Sequence, residues 1–391
     1  MQPSSPASDP AAADPAVNSK ESLPSSWRLA FAGGGTGGHL APGLALLEAA
    51  GEAGFGDLLW FVAGRPIEGR VLERAGPDAL RRVSLDLERG GAPKTHQLML
   101  RAAPAIRRAR AELVRSRSEL LLALGGAVTL PAVLAARSLR LPVVLLEANA
   151  VPGRATRSLE RFAALVCHAT QSSAGQFTGA RVRHVVTGLP VQDLTADSDQ
   201  VDRWRTSLNL HAGRPLLLVL GGSQGARGLN RFVSEHAAEW AAGGVQVVHQ
   251  VGPGRLDEAA DQELPGYRAV EYLDPLAPAL AAATFCLCRG GAGTLAELRG
   301  VQLPAMVVPY PHHRDGHQGA NALAYGSAFE IVPEAELSGE VAARLRHLLT
   351  DRFSELEQRP SASEDLGQQA AAQAVLAELA ELIADRRRPA R

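Results

Sequence analysis

Three segments join a short apolar run to a cluster of glycines. They are Gly33-Gly34-Gly35-Thr36-Gly37-Gly38-His39, then Gly221-Gly222-Ser223-Gln224-Gly225-Ala226, then Arg289-Gly290-Gly291-Ala292-Gly293-Thr294-Leu295-Ala296-Glu297. Glycine lets a backbone approach a ligand closely, and the N–H groups at a helix start favour a phosphate. Such segments suit an anion, and a diphosphate in particular. In the third, Glu297 falls in the first or second turn of a helix, where its carboxylate would accept two hydrogen bonds from a ribose diol. The alternative is a capping box, with Thr294 capping the helix and Glu297 bonding back.

The first segment also fits G-x-G-x-x-G through Gly33, Gly35 and Gly38, which raises a dinucleotide reading. That reading requires an acidic residue where the next strand ends. The strand ends instead in Ala63-Gly64-Arg65, and an arginine suits at best a phosphorylated ribose, as in an NADP-dependent oxidoreductase. The second segment lacks the Gly-Lys-Ser/Thr of a P-loop. A fourth polar segment runs from Pro309 to Asn321 and carries His312, His313, Arg314, Asp315, His317, Gln318 and Asn321. His313 and His317 have a spacing that pairs zinc ligands only on a helix, and Gly316 interrupts one. Asp197-Ser198-Asp199 matches a metal-binding Asp-x-Asp but falls in a polar linker. The leaving group is therefore expected to be stabilised by helix N-termini and side chains, with no metal and no cofactor.

The glycine segments need strands to present them. Leu29–Ala32, Leu58–Ala63, Glu119–Leu124 and Pro142–Glu147 are apolar runs without polar alternation, as expected of strands buried on both faces of a parallel sheet. The pattern restarts with Leu216–Leu220, Val245–Gln250, Phe285–Cys288 and Ala305–Pro309. The expected class is α/β, with two Rossmann-like domains and a cleft between them. Domain boundaries fall at 27–190 and 191–355, and residues 356–391 supply a C-terminal helix that returns to the first domain. Val375, Leu376, Leu379, Leu382 and Ile383 share one face of that helix.

Composition narrows the options. The chain has 391 residues, 40 Lys+Arg against 41 Asp+Glu, and three cysteines. Near neutrality argues against a nucleic-acid binder, and so few cysteines argue against a disulfide scaffold. The longest apolar stretch, 120–136, is broken by Gly125, Gly126, Thr129 and Pro131, so it reads as strand, loop and helix start, with no membrane span. Residues 1–26, with five prolines and seven serines, read as a disordered tail without signal-peptide character.

Taken together, GGGTGGH, GGSQGAR, RGGAGTLAEL and PYPHHRDGHQGANA resemble the MurG family of N-acetylglucosaminyltransferases, over about Trp27 to Ile383. The resemblance implies a GT-B fold and a role in peptidoglycan synthesis. It also implies UDP-GlcNAc as donor and undecaprenyl-pyrophosphoryl-MurNAc-pentapeptide as acceptor, with inversion at the sugar. It places Thr36, Gly37 and Gly38 in the cleft, with His39 as general base and Glu147 as the other candidate. It sets Ser223 and Gln224 near the donor and Leu273 against uracil. Ala292, Gly293, Thr294, Leu295, Ala296 and Glu297 would hold diphosphate and ribose, while His317, Gln318 and Asn321 would line the sugar pocket. The family's His-Glu-x-Asn reads Leu146-Glu147-Ala148-Asn149, which keeps Glu147 and Asn149. Ala127 replaces a Tyr, and Gly188-Leu189-Pro190-Val191-Gln192 lacks the family's Asn and Arg. Those departures leave open a UDP-sugar transferase with another acceptor.

A lipid-linked acceptor implies a membrane-facing surface. From Arg65 to Arg117 there are 13 Lys+Arg and 6 Asp+Glu, and Leu98, Met99, Leu100 and Ile106 lie beside Arg101, Arg107 and Arg108. Such a patch suits peripheral attachment to anionic lipid at the cytoplasmic face of the inner membrane; the alternative is an ordinary helix with its apolar face in the core.

Overall fold

A computed structural model describes residues 27–35, 37–50, 55–73, 80–87, 95–177, 182–261, 263–312, 316–357 and 368–388. The expected tail at 1–26, Thr36, His313 and the side chains of Leu98, Met99, Leu100 and Arg101 lie outside the described residues.

The apolar runs of the first half form a seven-stranded sheet. Its strands are β1 (Trp27–Gly33), β2 (Phe55–Val62), β3 (Leu80–Ser84), β4 (Leu120–Gly125), β5 (Val143–Glu147), β6 (Leu165–His168) and β7 (Arg183–Val186). They lie in the order β3-β2-β1-β4-β5-β6-β7, every neighbouring pair parallel. A second, six-stranded sheet holds β8 (Leu216–Leu220), β9 (Gln246–Gln250), β10 (Tyr267–Val270), β11 (Phe285–Cys288), β12 (Ala305–Val307) and β13 (Phe329–Ile331). Its order is β10-β9-β8-β11-β12-β13, again all parallel. In each sheet the side to which successive strands are added switches once, between β1 and β4 and between β8 and β11. In such sheets the crevice at the carboxyl ends of those strands is where ligands bind.

Both sheets are covered on two faces, which is why their central strands are uninterrupted aliphatic runs. On one face of the first sheet, Leu29, Phe31, Trp60, Leu122 and Val144 pack under the C-terminal helix, with Phe31 and Trp60 stacked at 4.9 Å. The other face packs Ala32, Phe61, Leu121 and Ala123 against Ala105, Ala109 and Leu113 of the helix Thr95–Arg115.

The helix Gln368–Arg387 buries Ala372, Val375, Leu376, Leu379 and Ile383 in the first-domain cluster that contains Trp27. Arg387 fastens it with paired bonds to Glu119, at 2.8 and 2.9 Å. Leu189, one of the positions that departs from the family pattern, is buried in the same cluster. The polar stretch expected to be linker is shorter than expected. Asp197 caps the helix Ser198–Ser207 in a capping box with Gln200, so Asp199 lies inside a helix.

Candidate active site

The first glycine segment leaves β1 at Gly33 and turns into the short helix Gly37–His39. Gly35 has φ +88°, a conformation that only glycine adopts without strain. The His39 ring sits over the turn that follows β4: a Cβ on Gly125 would lie 2.7 Å from His39 Cδ2. The glycine pair at 125–126 therefore makes room for the imidazole. His39 Nδ1 is 3.0 Å from the Gly34 carbonyl oxygen. Because a carbonyl oxygen only accepts, this contact requires a hydrogen on Nδ1, which in the neutral ring puts the lone pair on Nε2.

Glu147 ends β5 and is buried. Its carboxylate accepts the N–H groups of Asn149 and Gly153 at 2.9 Å each, the Asn149 side-chain amide, and the Thr156 hydroxyl. These bonds organise the 147–156 turn. The turn in turn meets the second domain. Asn321, only 3% exposed, accepts the Ala150 N–H at 2.8 Å and donates to Asn149 Oδ1 at 3.2 Å and to the Gly290 carbonyl at 3.1 Å.

In the second domain, Leu220 of β8 pairs with Cys288 of β11, so the turns that follow these strands are neighbours. The helix Arg227–Ala242 starts at Ala226 and the helix Ala292–Gly300 at Gly291, and neither has a side-chain cap among the described residues. Here the capping-box alternative is overturned: Gly291 occupies the N-cap, and Thr294 and Glu297 both lie inside the helix. Its first-turn N–H groups are left for a ligand. Ala292 and Ala296 pack against the first-domain cluster, which sets this helix start at the domain junction. Burial pushes the Glu297 carboxyl up to about 7, with no cation or hydrogen-bond donor offsetting it among the described residues.

Several residues that spacing alone did not single out hold these turns. Gln250, at the end of β9, donates to the Gly222 carbonyl at 3.0 Å and accepts the Leu273 N–H at 3.4 Å. Asn230 donates to the Val251 carbonyl and to Glu258. Buried Arg289 donates to the carbonyls of Val308 and Pro309 and pairs with Glu334. Their common signal was a polar residue at a strand end or first helical turn inside an otherwise apolar stretch.

Ser223 and Gln224 lie in the turn after β8. The Leu273 side chain is packed into the second-domain core beside Leu220 and Leu295, so it is the Leu273 backbone that stands at the strand ends. His317 and Gln318 begin the helix His317–Leu323, and Gln318 accepts the Tyr310 N–H at 2.9 Å. Among the described residues no three His, Cys, Asp or Glu side chains group to hold a metal. Cys286 and Cys288 are buried in the core.

Comparison with known proteins places the chain. The glycosyltransferase family 28 N-terminal domain matches residues 29–167, and the C-terminal domain of the same family matches 216–377. A UDP-N-acetylglucosamine--N-acetylmuramyl-(pentapeptide) pyrophosphoryl-undecaprenol N-acetylglucosamine transferase from Synechococcus sp. (strain JA-3-3Ab) is 36% identical over 298 residues, covering 76% of this chain and 79% of that protein. The protein of the same name from Frankia casuarinae is 35% identical over 373 residues, covering 92% and 97%. The fold matches the crystal structure of Acinetobacter baumannii MurG with a TM-score of 0.60 at 23% identity, over 92% of this chain and 99% of that one. The chain belongs to glycosyltransferase family 28 and, within it, to the MurG family.

Proposed function

We infer that this protein transfers GlcNAc from UDP-GlcNAc to the 4-hydroxyl of MurNAc in undecaprenyl-pyrophosphoryl-MurNAc-pentapeptide, converting lipid I to lipid II in peptidoglycan synthesis. The observation that carries this reading is the Asn321 junction. It sets the uncapped helix start at Ala292 beside the first domain's 147–153 turn, which supports a reading in which donor and acceptor meet at this junction.

In the reaction, His39 Nε2 takes the proton from the MurNAc 4-hydroxyl. The oxygen's electron pair forms a bond to C1 of GlcNAc while the bond from C1 to the diphosphate breaks. UDP leaves with that electron pair on its β-phosphate oxygen, and the configuration at C1 inverts. N–H groups at the starts of Ala292–Gly300 and Arg227–Ala242 stabilise the charge that develops on the diphosphate. Glu297 accepts from the ribose diol and Gln318 faces the sugar, while Asn321, fully bonded within the protein, holds the turns beside that pocket. Glu147 keeps the acceptor-side turn in shape. Incubation with UDP-GlcNAc and lipid I in detergent tests the reading: lipid II and UDP are the expected products, and UDP release without lipid II would point to another acceptor.

The acceptor is embedded in lipid, so the enzyme works at the cytoplasmic face of the membrane as a peripheral protein. No helix among the described residues is long and apolar enough to cross a membrane. The helix Thr95–Arg115 leaves Pro104, Arg107, Arg108 and Arg110 exposed while its Ala105, Ala109 and Leu113 face the core, which supports an anionic-lipid surface there. Sedimentation with phosphatidylglycerol vesicles at low salt is expected to carry the protein down; failure to do so removes this surface.

A further inference from the structure

Glu68 belongs to none of the glycine-rich or histidine-bearing segments, yet its carboxylate is fully bonded beside the first of them. It stands in the first turn of the helix Pro66–Leu72 and is 1% exposed. Its carboxylate takes four backbone N–H groups. Oε1 accepts from Gly35 at 2.7 Å and Ala63 at 2.9 Å, and Oε2 accepts from Gly64 at 2.7 Å and Arg65 at 2.8 Å. Three of those donors belong to the carboxylate's own β2 turn, but the Gly35 N–H comes from the glycine segment 33 residues earlier.

The Gly35 N–H and the Gly34 carbonyl belong to one peptide group. Its N–H end is held by Glu68 and its carbonyl end by His39 Nδ1 at 3.0 Å. A second contact pins the next peptide, since Arg65 Nη1 donates to the Gly35 carbonyl at 3.0 Å. The fit is close: a Cβ on Gly34 would lie 2.4 Å from Glu68 Oε1. A buried anion bonded to one end of an amide polarises it and makes its carbonyl a stronger acceptor.

We propose that Glu68 is a positioning residue for the transfer reaction, acting on His39 through the Gly34–Gly35 peptide. It fixes the plane of that peptide and strengthens the carbonyl that takes the Nδ1 hydrogen. The imidazole is thereby held in the tautomer whose Nε2 lone pair receives the acceptor's proton. The arrangement does for this histidine what a carboxylate in direct contact does elsewhere, with a peptide group between the two. The proposal rests on His39 being the base.

A double-mutant cycle in the full-length protein tests it. Glu68→Gln keeps the side chain's size but turns an amide N–H₂ toward backbone donors and removes the charge. It is expected to lower kcat by roughly 10-fold or more while the UDP-GlcNAc Kd, read by calorimetry, changes by less than about 2-fold. His39→Ala is expected to lower kcat by at least about 100-fold. In the His39→Ala background, Glu68→Gln should cost less than about 2-fold more, because the two act as one unit. Full multiplication of the two effects, or a silent Glu68→Gln, overturns the proposal. A silent His39→Ala instead overturns the assignment of the base. Should Glu68→Gln fail to fold, ¹⁵N NMR of the unmutated protein decides, the His39 signals being assigned by their loss in His39→Ala. A hydrogen on Nδ1 of the neutral ring supports the proposal, and a hydrogen on Nε2 overturns it.

Discussion

Asn321 Nδ2 donates to Asn149 Oδ1 across 3.2 Å, a bond between residues 172 positions apart that joins the two domains. The same side chain reaches the Ala150 N–H and the Gly290 carbonyl, so one buried amide connects the first domain's 147–153 turn, the turn after β11 and the helix His317–Leu323. Replacing Asn321 by Ala leaves three polar partners without a bond at that junction, at about 1–3 kcal/mol for a buried unsatisfied group. The expected result is a loss of roughly 10-fold or more in kcat/KM, seen for donor and acceptor alike. An effect confined to the donor KM would mean that the amide serves only the sugar.

Glu297 gives the donor site a pH dependence. Burial raises its carboxyl to about 7, so it is protonated below that value and ionised above. With the ionised form accepting the ribose hydroxyls, as proposed, the UDP-GlcNAc Kd is expected to tighten as pH rises from 6 to 8. The folded value lies above the ordinary one of 4.5, so the stability linked to the bound proton is present below 4.5 and is lost as pH rises through 7. Glu297→Gln should flatten the binding profile in calorimetry and weaken binding at pH 8. A Gln variant that keeps the wild-type profile would assign the dependence to another group.

Gln250 ties the Gly222 carbonyl to the Leu273 N–H. Gln250→Leu keeps the approximate volume and removes both bonds. About 1–2 kcal/mol of lost positioning corresponds to roughly 5- to 30-fold weaker UDP-GlcNAc binding. With donor saturating, kcat should stay within about 2-fold of wild type, because the acceptor domain is untouched. Unchanged donor affinity would show that the turn holds its shape without this bridge.

Docking of the C-terminal helix has its own acid sensitivity. Burial alone would raise the Glu119 carboxyl, but the Arg387 hydrogen bonds, the Arg28 N–H and both guanidinium charges outweigh it and hold it below its ordinary value. The stability this confers is full above the unfolded value of 4.5 and disappears as pH falls through the lower folded value. Arg387→Ala should lower the melting temperature at pH 7 by roughly 2–4 °C. That difference should vanish on acidification below the folded value. Trp27, buried in the cluster under this helix, reports the release by a red shift in fluorescence.

Much of the architecture was readable in the sequence because it depends on local rules. Uninterrupted aliphatic runs such as Leu216–Leu220 are buried on both faces wherever they occur, and glycine clusters mark turns that other residues cannot make. The strands that composition did not reveal were short or mixed. β3 contains Arg81 and Arg82, β7 contains Arg183 and His184, β10 contains Arg268 and β13 contains Glu330; these four lie at sheet edges, where one side meets solvent and polar residues are admitted. β6, inside the first sheet, is only four residues long and ends in His168.

The site divides along the same line. The sequence by itself determined which backbone segments suit a diphosphate, since glycines and helix starts are written consecutively in the chain. Tertiary structure alone decided what each acidic or amide side chain does there. Glu147, a candidate base, is bonded to four donors of its own turn, whereas Glu68 belonged to no motif and bonds the peptide whose carbonyl meets His39. Asn321 and Gln250 likewise find partners 171 and 28 residues away. A side chain's role follows from the donors and acceptors that folding brings within about 3 Å of it. That neighbourhood is a property of the packed sheets and not of spacing along the chain.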